Sequence, residues 1–271
     1  MYQTTYHKGQ SLDQVRKLHA ELPEPSYISG GFTLIPAMKN RLAAPENLID
    51  LRALPELRGI TRDGDRLRIG AASCHAEVAG SPEVAQSIPA LALLADSIGD
   101  MQVRHMGTIG GSVANNDPAA DYPAAVLALG ATIITDQREI AAHDFFTGMY
   151  ATDLAEGEII LRIDFPVPRS AGYAKLRNPA SKYAIAASFV ARGSDGSVRV
   201  AVTGAGEDGV FRWFDAEQAL ADRFETASVE ALQPDPGMML SDLHGSAEYR
   251  AALVKVMTAR AVDAQGSVDI C

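Results

Sequence analysis

Gly-Gly occurs twice in this 271-residue chain, and each copy limits what the backbone around it can be. One copy is YISGGFTL, with Gly30 and Gly31. The other is GTIGGSVANN, with Gly110 and Gly111. Each pair has a hydroxyl before it (Ser29, Thr108) and another after it (Thr33, Ser112). The second pair opens the run TIGGSVANNDPAAD, residues 108–121. Gly, Asn and Asp weaken helix interiors and central strands alike, so this run reads as a loop. The first pair follows a short apolar strand and opens a helix.

Glycine lets a backbone come close to another object, because there is no Cβ in the way. Successive N–H groups in a turn form an anion-binding concavity, and a helix N-terminus adds its positive end. Two such loops converging would suit a pyrophosphate, whose charge then needs no Lys or Arg. Either pair alone also fits an ordinary glycine turn. The second pair carries more, because Asn115, Asn116, Asp117 and Asp121 crowd behind it and AADYPAAVLALG follows at once. Asp121 stands where a helix would start. It can cap that helix, or its carboxylate can accept hydrogen bonds from sugar-like hydroxyls.

The rest of the chain reads as α+β with mixed sheets. Residues 11–22 form a helix with Ser11 as N-cap, Gln14 completing a capping box, and Leu12, Val15, Leu18 and Leu22 on one stripe. Residues 47–51 read as a strand. RLRIGAAS, ATIITD, EIAAHDFF and EIILRIDFPV read as strands, with apolar helices at 89–99 and 121–130 between them. Beyond Pro166 and Pro168, GYAKLRN, AIAASFVAR and SVRVAVTGAG read as three antiparallel strands. Helices DAEQALAD and SAEYRAALVKVMTARAVD follow. This places a domain over 1–168, with lobes at 1–57 and 58–168, and a second domain over 172–271.

Bulk properties remove several function classes. The net charge of −10 argues against a nucleic-acid partner, which needs a Lys/Arg surface. No apolar run reaches the roughly 18 residues of a membrane span, and MYQTTYHKGQ lacks the apolar core of a signal peptide. Cys74 and Cys271 stand far apart, which points to a reducing cytoplasm. Neither lies in a CxxC and no two histidines have ligand spacing, so no zinc site or iron–sulfur cluster is encoded by this chain alone.

The stretch GDMQVRHMGTIGGSVANNDPAADYPAAVLALGATI resembles the FAD-binding (medium) subunit of the molybdenum hydroxylases, the carbon monoxide, xanthine and aldehyde dehydrogenase flavoproteins. YISGGFTLIPAMK, LRIGAASCHAEV, GEIILRIDFPVP, YAKLRNPASKYAIAA and VRVAVTGAG resemble further segments of that family in the same order. The resemblance covers nearly the whole chain. It implies a two-lobed FAD-binding domain of the vanillyl-alcohol-oxidase type, followed by a small C-terminal domain of antiparallel sheet plus helices. It implies noncovalent FAD here, and a molybdenum cofactor and iron–sulfur clusters only in partner subunits. Those partners would be a large molybdenum subunit and a small iron–sulfur subunit, assembled as a dimer of heterotrimers.

Residue by residue, the resemblance places Ser29, Gly30, Gly31, Phe32, Thr33 and Leu34, with Thr108, Ile109, Gly110, Gly111 and Ser112, around the FAD pyrophosphate. Asn115 and Asp121 would lie along the ribityl–phosphate part. Ile159 and Ile160 would pack on the isoalloxazine, and Lys175 would lie near the flavin. Tyr183 falls where some relatives carry an aromatic beside the ring. The chain departs from the family at Met101 (often Pro), His105 and Met106 (often Asn-Arg), Lys182 (often Asp) and Phe32 (often His). These departures bear on flavin potential and electron acceptor. His105 could serve as a covalent flavin anchor, but it reads as a loop histidine hydrogen-bonded to backbone, since the family is noncovalent.

Other patterns give less. Gly204, Gly206 and Gly209 match G-x-G-x-x-G after a strand, but VFRWF follows where a dinucleotide fold needs a helix. Asp63/Asp65 and Glu156/Glu158 flank glycines and read as solvated turns. Trp213 reads as packing or an interface anchor. No elbow motif supports Ser-His-Asp chemistry, so no catalytic acid or base is assigned. Three classes remain: an electron-transfer subunit feeding NAD⁺, a quinone or oxygen; a free-standing flavin oxidase or dehydrogenase; and a structural relative that has lost FAD.

Overall fold

The structure is a computed structural model describing residues 1–265 and 268–270. Its first lobe runs β1 (Thr5–Lys8), α1 (Leu12–Glu21), β2 (Pro25–Ile28), α2 (Leu34–Lys39), β3 (Asn47–Asp50). The three strands make a parallel sheet in the order β1-β3-β2. Helix α1 starts as its sequence dictates: the Ser11 side chain accepts from Gln14 N at 3.2 Å. The box closes one residue early, since Gln14 Oε1 takes the N–H of Gln10 at 2.7 Å. Val15 is fully buried, with Leu12 and Leu18 against the same core. Strand β1, TYHK, had no sequence signal, because an edge strand that buries little shows no alternation.

The second lobe runs β4 (Ile60–Asp63), β5 (Arg66–Gly70), then six helices: α3 (His75–Gly80), α4 (Pro82–Ser87), α5 (Pro89–Asp96), α6 (Met101–Met106), α7 (Ile109–Asn115) and α8 (Tyr122–Leu129). It closes with β6 (Thr132–Thr135), β7 (Glu139–Ala141), α9 (Ala142–Phe145), β8 (Phe146–Gly148), β9 (Ala151–Thr152) and β10 (Ile160–Pro166). The antiparallel sheet has the order β4-β5-β10-β6-β7. Helix α8 is apolar all round, and every residue in it is buried. It earns that burial by lying between this sheet and the next, against β10, β12 and β13.

The remaining chain forms β11 (Ser170–Arg177), β12 (Ala184–Arg192), β13 (Val198–Thr203), β14 (Phe211–Arg212), α10 (Phe214–Asp222), α11 (Thr226–Glu230), α12 (Ala247–Asp263) and β15 (Val268–Ile270). The sheet order is β14-β13-β12-β11-β15, antiparallel except for β15 on β11. Helix α12 covers β11 and β12. Trp213 packs in this second core. The architecture is α+β, as the sequence indicated.

Four expectations need correction. Residues 108–121 are not one loop: residues 109–115 form α7, capped by Thr108, because buried Ile109, Gly110 and Val113 pack that face onto the core and override weak propensity. EIAAHDFF is a three-residue strand and then a helical turn, which brings Ala142 and Phe145 inward together. Glu158 is not solvated. It is buried and receives Arg138, Thr135 Oγ1 and Ala155 N. Asp121 makes no cap bond to α8. The glycine fingerprint leads only into the short strand β14, with Gly204 at φ +81° beside the Ala184 backbone.

One buried cation organises the last domain. Arg250 donates from Nη1 to Ile185 O and Gly204 O, both at 2.6 Å, and from Nη2 to both oxygens of Asp242. Replacing it by Met removes the donor to two carbonyls and the cation beside the half-exposed Asp242. Arg250→Met is expected to lower unfolding free energy by about 3 kcal/mol in a urea titration.

Candidate functional site

The two Gly-Gly segments meet where the lobes meet. Thr108 Oγ1 donates to Ser29 Oγ at 3.1 Å. A Cβ on Gly30 would overlap Met106 O and sit 2.6 Å from Gly107 Cα. A Cβ on Gly110 would lie 2.5 Å from Ala71 Cβ. These two glycines are therefore demanded by chain-on-chain packing. Gly31 is demanded by its φ of +74°. Gly111 alone opens outward: a Cβ there would meet only Thr108 Oγ1, at 2.9 Å.

The N–H groups of the two segments have different fates. In the second, Ile109 N donates to Ser73 O, Gly110 N to Ala71 O and Gly111 N to Thr108 Oγ1. The first two hold α7 to the segment that follows β5, the third caps α7 itself, and none is available to a ligand. In the first, the N–H groups of Gly30, Gly31, Phe32 and Thr33 donate to no backbone acceptor among the described residues. Thr33, the N-cap of α2, makes no side-chain cap bond either. Residues 30–33 are thus a row of open donors.

That row faces a cleft of about 690 Å³ between the lobes, in the size range of cofactor pockets. Residues 29–34, Thr108, Gly110, Gly111, Ser112, Asn115, Asp121, Ile159 and Ile160 all line it. Ile109 does not, being wholly buried on the core face of α7. Lys175 does not, lying behind Asp121 with no exposed surface. Its Nζ donates to Asp121 Oδ1 at 2.7 Å, and Tyr173 OH donates to the same oxygen at 2.6 Å. The buried cation is thereby matched by one carboxylate. Among the described lining residues Lys182 is the one Lys or Arg.

The cleft also holds residues that sequence reasoning did not single out. His75, first residue of α3, lines it with Nδ1 unpartnered. Its ring lies 5.3 Å from that of Tyr122, whose buried hydroxyl is also unpartnered. Burial pushes the imidazole down to about 4, against an attraction from Asp121. A lone histidine after a strand carries no pattern that would have revealed this. Tyr183, which lines the mouth, is pushed up to about 12 by burial and by Asp117, Asp121 and Tyr150. Lys182 beside it has φ +63°. His105 lies in α6, with Nδ1 2.8 Å from Met101 O. Among the described residues no three His, Cys, Asp or Glu could hold a metal ion. No helix of the described chain is long and apolar enough to cross a membrane.

The arrangement fits a dinucleotide flavin: open N–H donors and hydroxyls for a pyrophosphate, and apolar walls at Leu34, Leu154, Ile159 and Ile160 for a ring system. His75 adds a pH signature. Its folded value is depressed below the ordinary histidine value, so the unfolded chain binds the extra proton. Stability from this group is present above about pH 6.5 and is lost as pH falls toward 4, worth about 3 kcal/mol in all. His75→Leu is expected to flatten that part of a stability-versus-pH curve.

A family profile described as "FAD binding domain in molybdopterin dehydrogenase" matches residues 2–168. The carbon monoxide dehydrogenase medium chain of Hydrogenophaga pseudoflava is 33% identical, over 96% of each chain. The nicotine 6-hydroxylase medium subunit of Paenarthrobacter nicotinovorans is 34% identical, over 97% of each. Among solved structures, reconstituted CO dehydrogenase from Oligotropha carboxidovorans superposes with a TM-score of 0.88 at 33% identity, covering 97% of this chain and 98% of that one. Quinoline 2-oxidoreductase from Pseudomonas putida 86 gives 0.85 at 29%, covering 96% of each.

Proposed function

The chain belongs to the family of FAD-binding domains of molybdopterin dehydrogenases, and from that premise we propose that it is the flavoprotein subunit of a molybdenum hydroxylase complex. It binds FAD noncovalently in the interlobe cleft. Its partners are a large subunit with the molybdenum cofactor and a small subunit with iron–sulfur clusters, joined as a dimer of heterotrimers in the cytoplasm. Electrons from those clusters leave through this subunit to NAD⁺, a quinone or oxygen. Residues 1–168 form the FAD-binding domain and residues 172–271 the C-terminal domain. The names of the end-to-end relatives support this reading over a free-standing flavin oxidase.

The open donors at residues 30–33, lining with Gly111 a cleft almost without cations, carry the assignment. The N–H groups and the hydroxyls of Thr33 and Ser112 hold the pyrophosphate. Thr108 and Ser29 bind each other and fix the distance between the loops. Asn115 and Asp121 lie along the ribityl chain, with Tyr173 and Lys175 keeping Asp121 in place. Ile159 and Ile160 form an apolar wall for the isoalloxazine, with Tyr183 at the mouth. When bound, FAD supplies the redox chemistry, and the chain binds it, orients it and excludes water.

Gly111→Val tests the loop assignment. A Cβ at this position, on the lining of the cleft, would meet only the Thr108 hydroxyl among chain atoms, at 2.9 Å. The variant should therefore fold, with about 1 kcal/mol lost through the disturbed cap, and purify without flavin. Normal FAD stoichiometry in Gly111→Val contradicts the assignment.

A further inference from the structure

The two lobes touch on both sides of the cleft, and the two contacts differ in kind. On one side backbone crosses backbone, at Gly30 and Gly107, with Ser29 bound to Thr108. On the other side the contact is made by side chains, with one carboxylate at its centre. Asp136 follows β6, and its side chain is 1% exposed. Its Oδ1 accepts the N–H of Ile159 at 2.8 Å, and its own N–H donates to Ile159 O at 3.0 Å. Its Oδ2 accepts Arg16 Nε at 2.6 Å, and its carbonyl accepts Arg16 Nη2 at 2.8 Å. Arg16 stands on α1, in the first lobe.

Neighbouring contacts run the same way. Tyr27 of β2, which lines the cleft, donates from its hydroxyl to Gly157 O at 3.2 Å. His19 of α1 stacks on the Tyr27 ring with centroids 4.7 Å apart. Within the second lobe, Glu158 is tied to Arg138, Thr135 and Ala155. Residues 158–160 form a cleft wall that is braced internally by Glu158 and tied to the first lobe through Asp136.

Resting on the FAD reading above, we infer that Arg16 and Asp136 are positioning residues for the flavin: they clamp the 158–160 wall of the second lobe against the first, and so set how fast the cofactor leaves. Neither side chain lines the cleft. They act through the backbone of Ile159. The fork of Arg16 reaches the carboxylate and the carbonyl at once, which an ammonium cannot reproduce. Removing either partner loosens one wall and leaves the opposite loop crossing intact. Removing both should cost little more than removing one, because the pair acts as a unit.

The test uses the full chain loaded with FAD. The rate of flavin release into an excess of an FAD-specific apoprotein scavenger and iodide quenching of bound-flavin fluorescence are measured for wild type, Arg16→Met, Asp136→Asn, the double variant and Arg16→Lys. The expected result is release faster by on the order of tenfold in each single variant, an equal rate in the double variant, and partial recovery with Arg16→Lys. Iodide quenching should rise in parallel, a change that lower global stability alone would not produce. Arg16→Met releasing FAD at the wild-type rate with unchanged quenching overturns the clamp, and so do additive single effects. A wild-type chain that takes up no FAD overturns the binding reading, and this inference with it.

Discussion

The crossing of residues 29–31 over residues 106–108 is the contact on which the site depends. It leaves no room for a Cβ on Gly30, because Met106 O and Gly107 Cα occupy that space. The second segment is pinned from below by the same logic. Gly110 is pressed against Ala71, and its N–H bonds to Ala71 O. Strand β5, helix α7 and the first lobe's loop are thereby stacked at fixed distances. Everything that lines the cleft hangs from this stack: α2 beyond residue 33, Asp121 beyond α7, and the wall at 158–160 opposite.

Electrostatics follow from that placement. The protein carries a net charge of −10, yet its cleft is fitted to a phosphate-bearing ligand. It resolves the conflict without a basic cluster. Backbone donors are fixed dipoles that need no counter-charge when the site is empty. Lys175, a buried cation beside the cleft, is already matched by Asp121. His75 is kept neutral by burial. A polar surface of this kind discriminates by position of donors, so the loop crossing matters more than the number of charges.

Much of this was legible in the sequence. GYAKLRN, AIAASFVAR and SVRVAVTGAG, read as antiparallel strands, became β11, β12 and β13, and the apolar DYPAAVLALG became the central helix α8. The paired glycines and their hydroxyls marked the cleft. What failed did so for tertiary reasons. Propensity argued against a helix at 109–115, but burial of Ile109 and Val113 made one. Glycine was read as a device for approaching a ligand. At Gly30 and Gly110 it is a device for approaching protein, and the open donors lie in the first loop instead of both. Glu158 looked solvated because its partners Thr135 and Arg138 arrive from a neighbouring strand and turn. His75 and the Arg16–Asp136 contact had no local signature, since each exists only through residues distant in sequence.

The claim that unites these observations is that this cleft holds one noncovalent FAD. The most direct measurement is the absorbance spectrum of the purified chain, followed by heat denaturation and chromatographic identification of what is released. The two-banded flavin spectrum is expected, with free FAD in the supernatant in a ratio of about one per chain. A colourless chain that cannot be reconstituted with FAD would contradict it, and the donors at residues 30–33 would then belong to a plain turn.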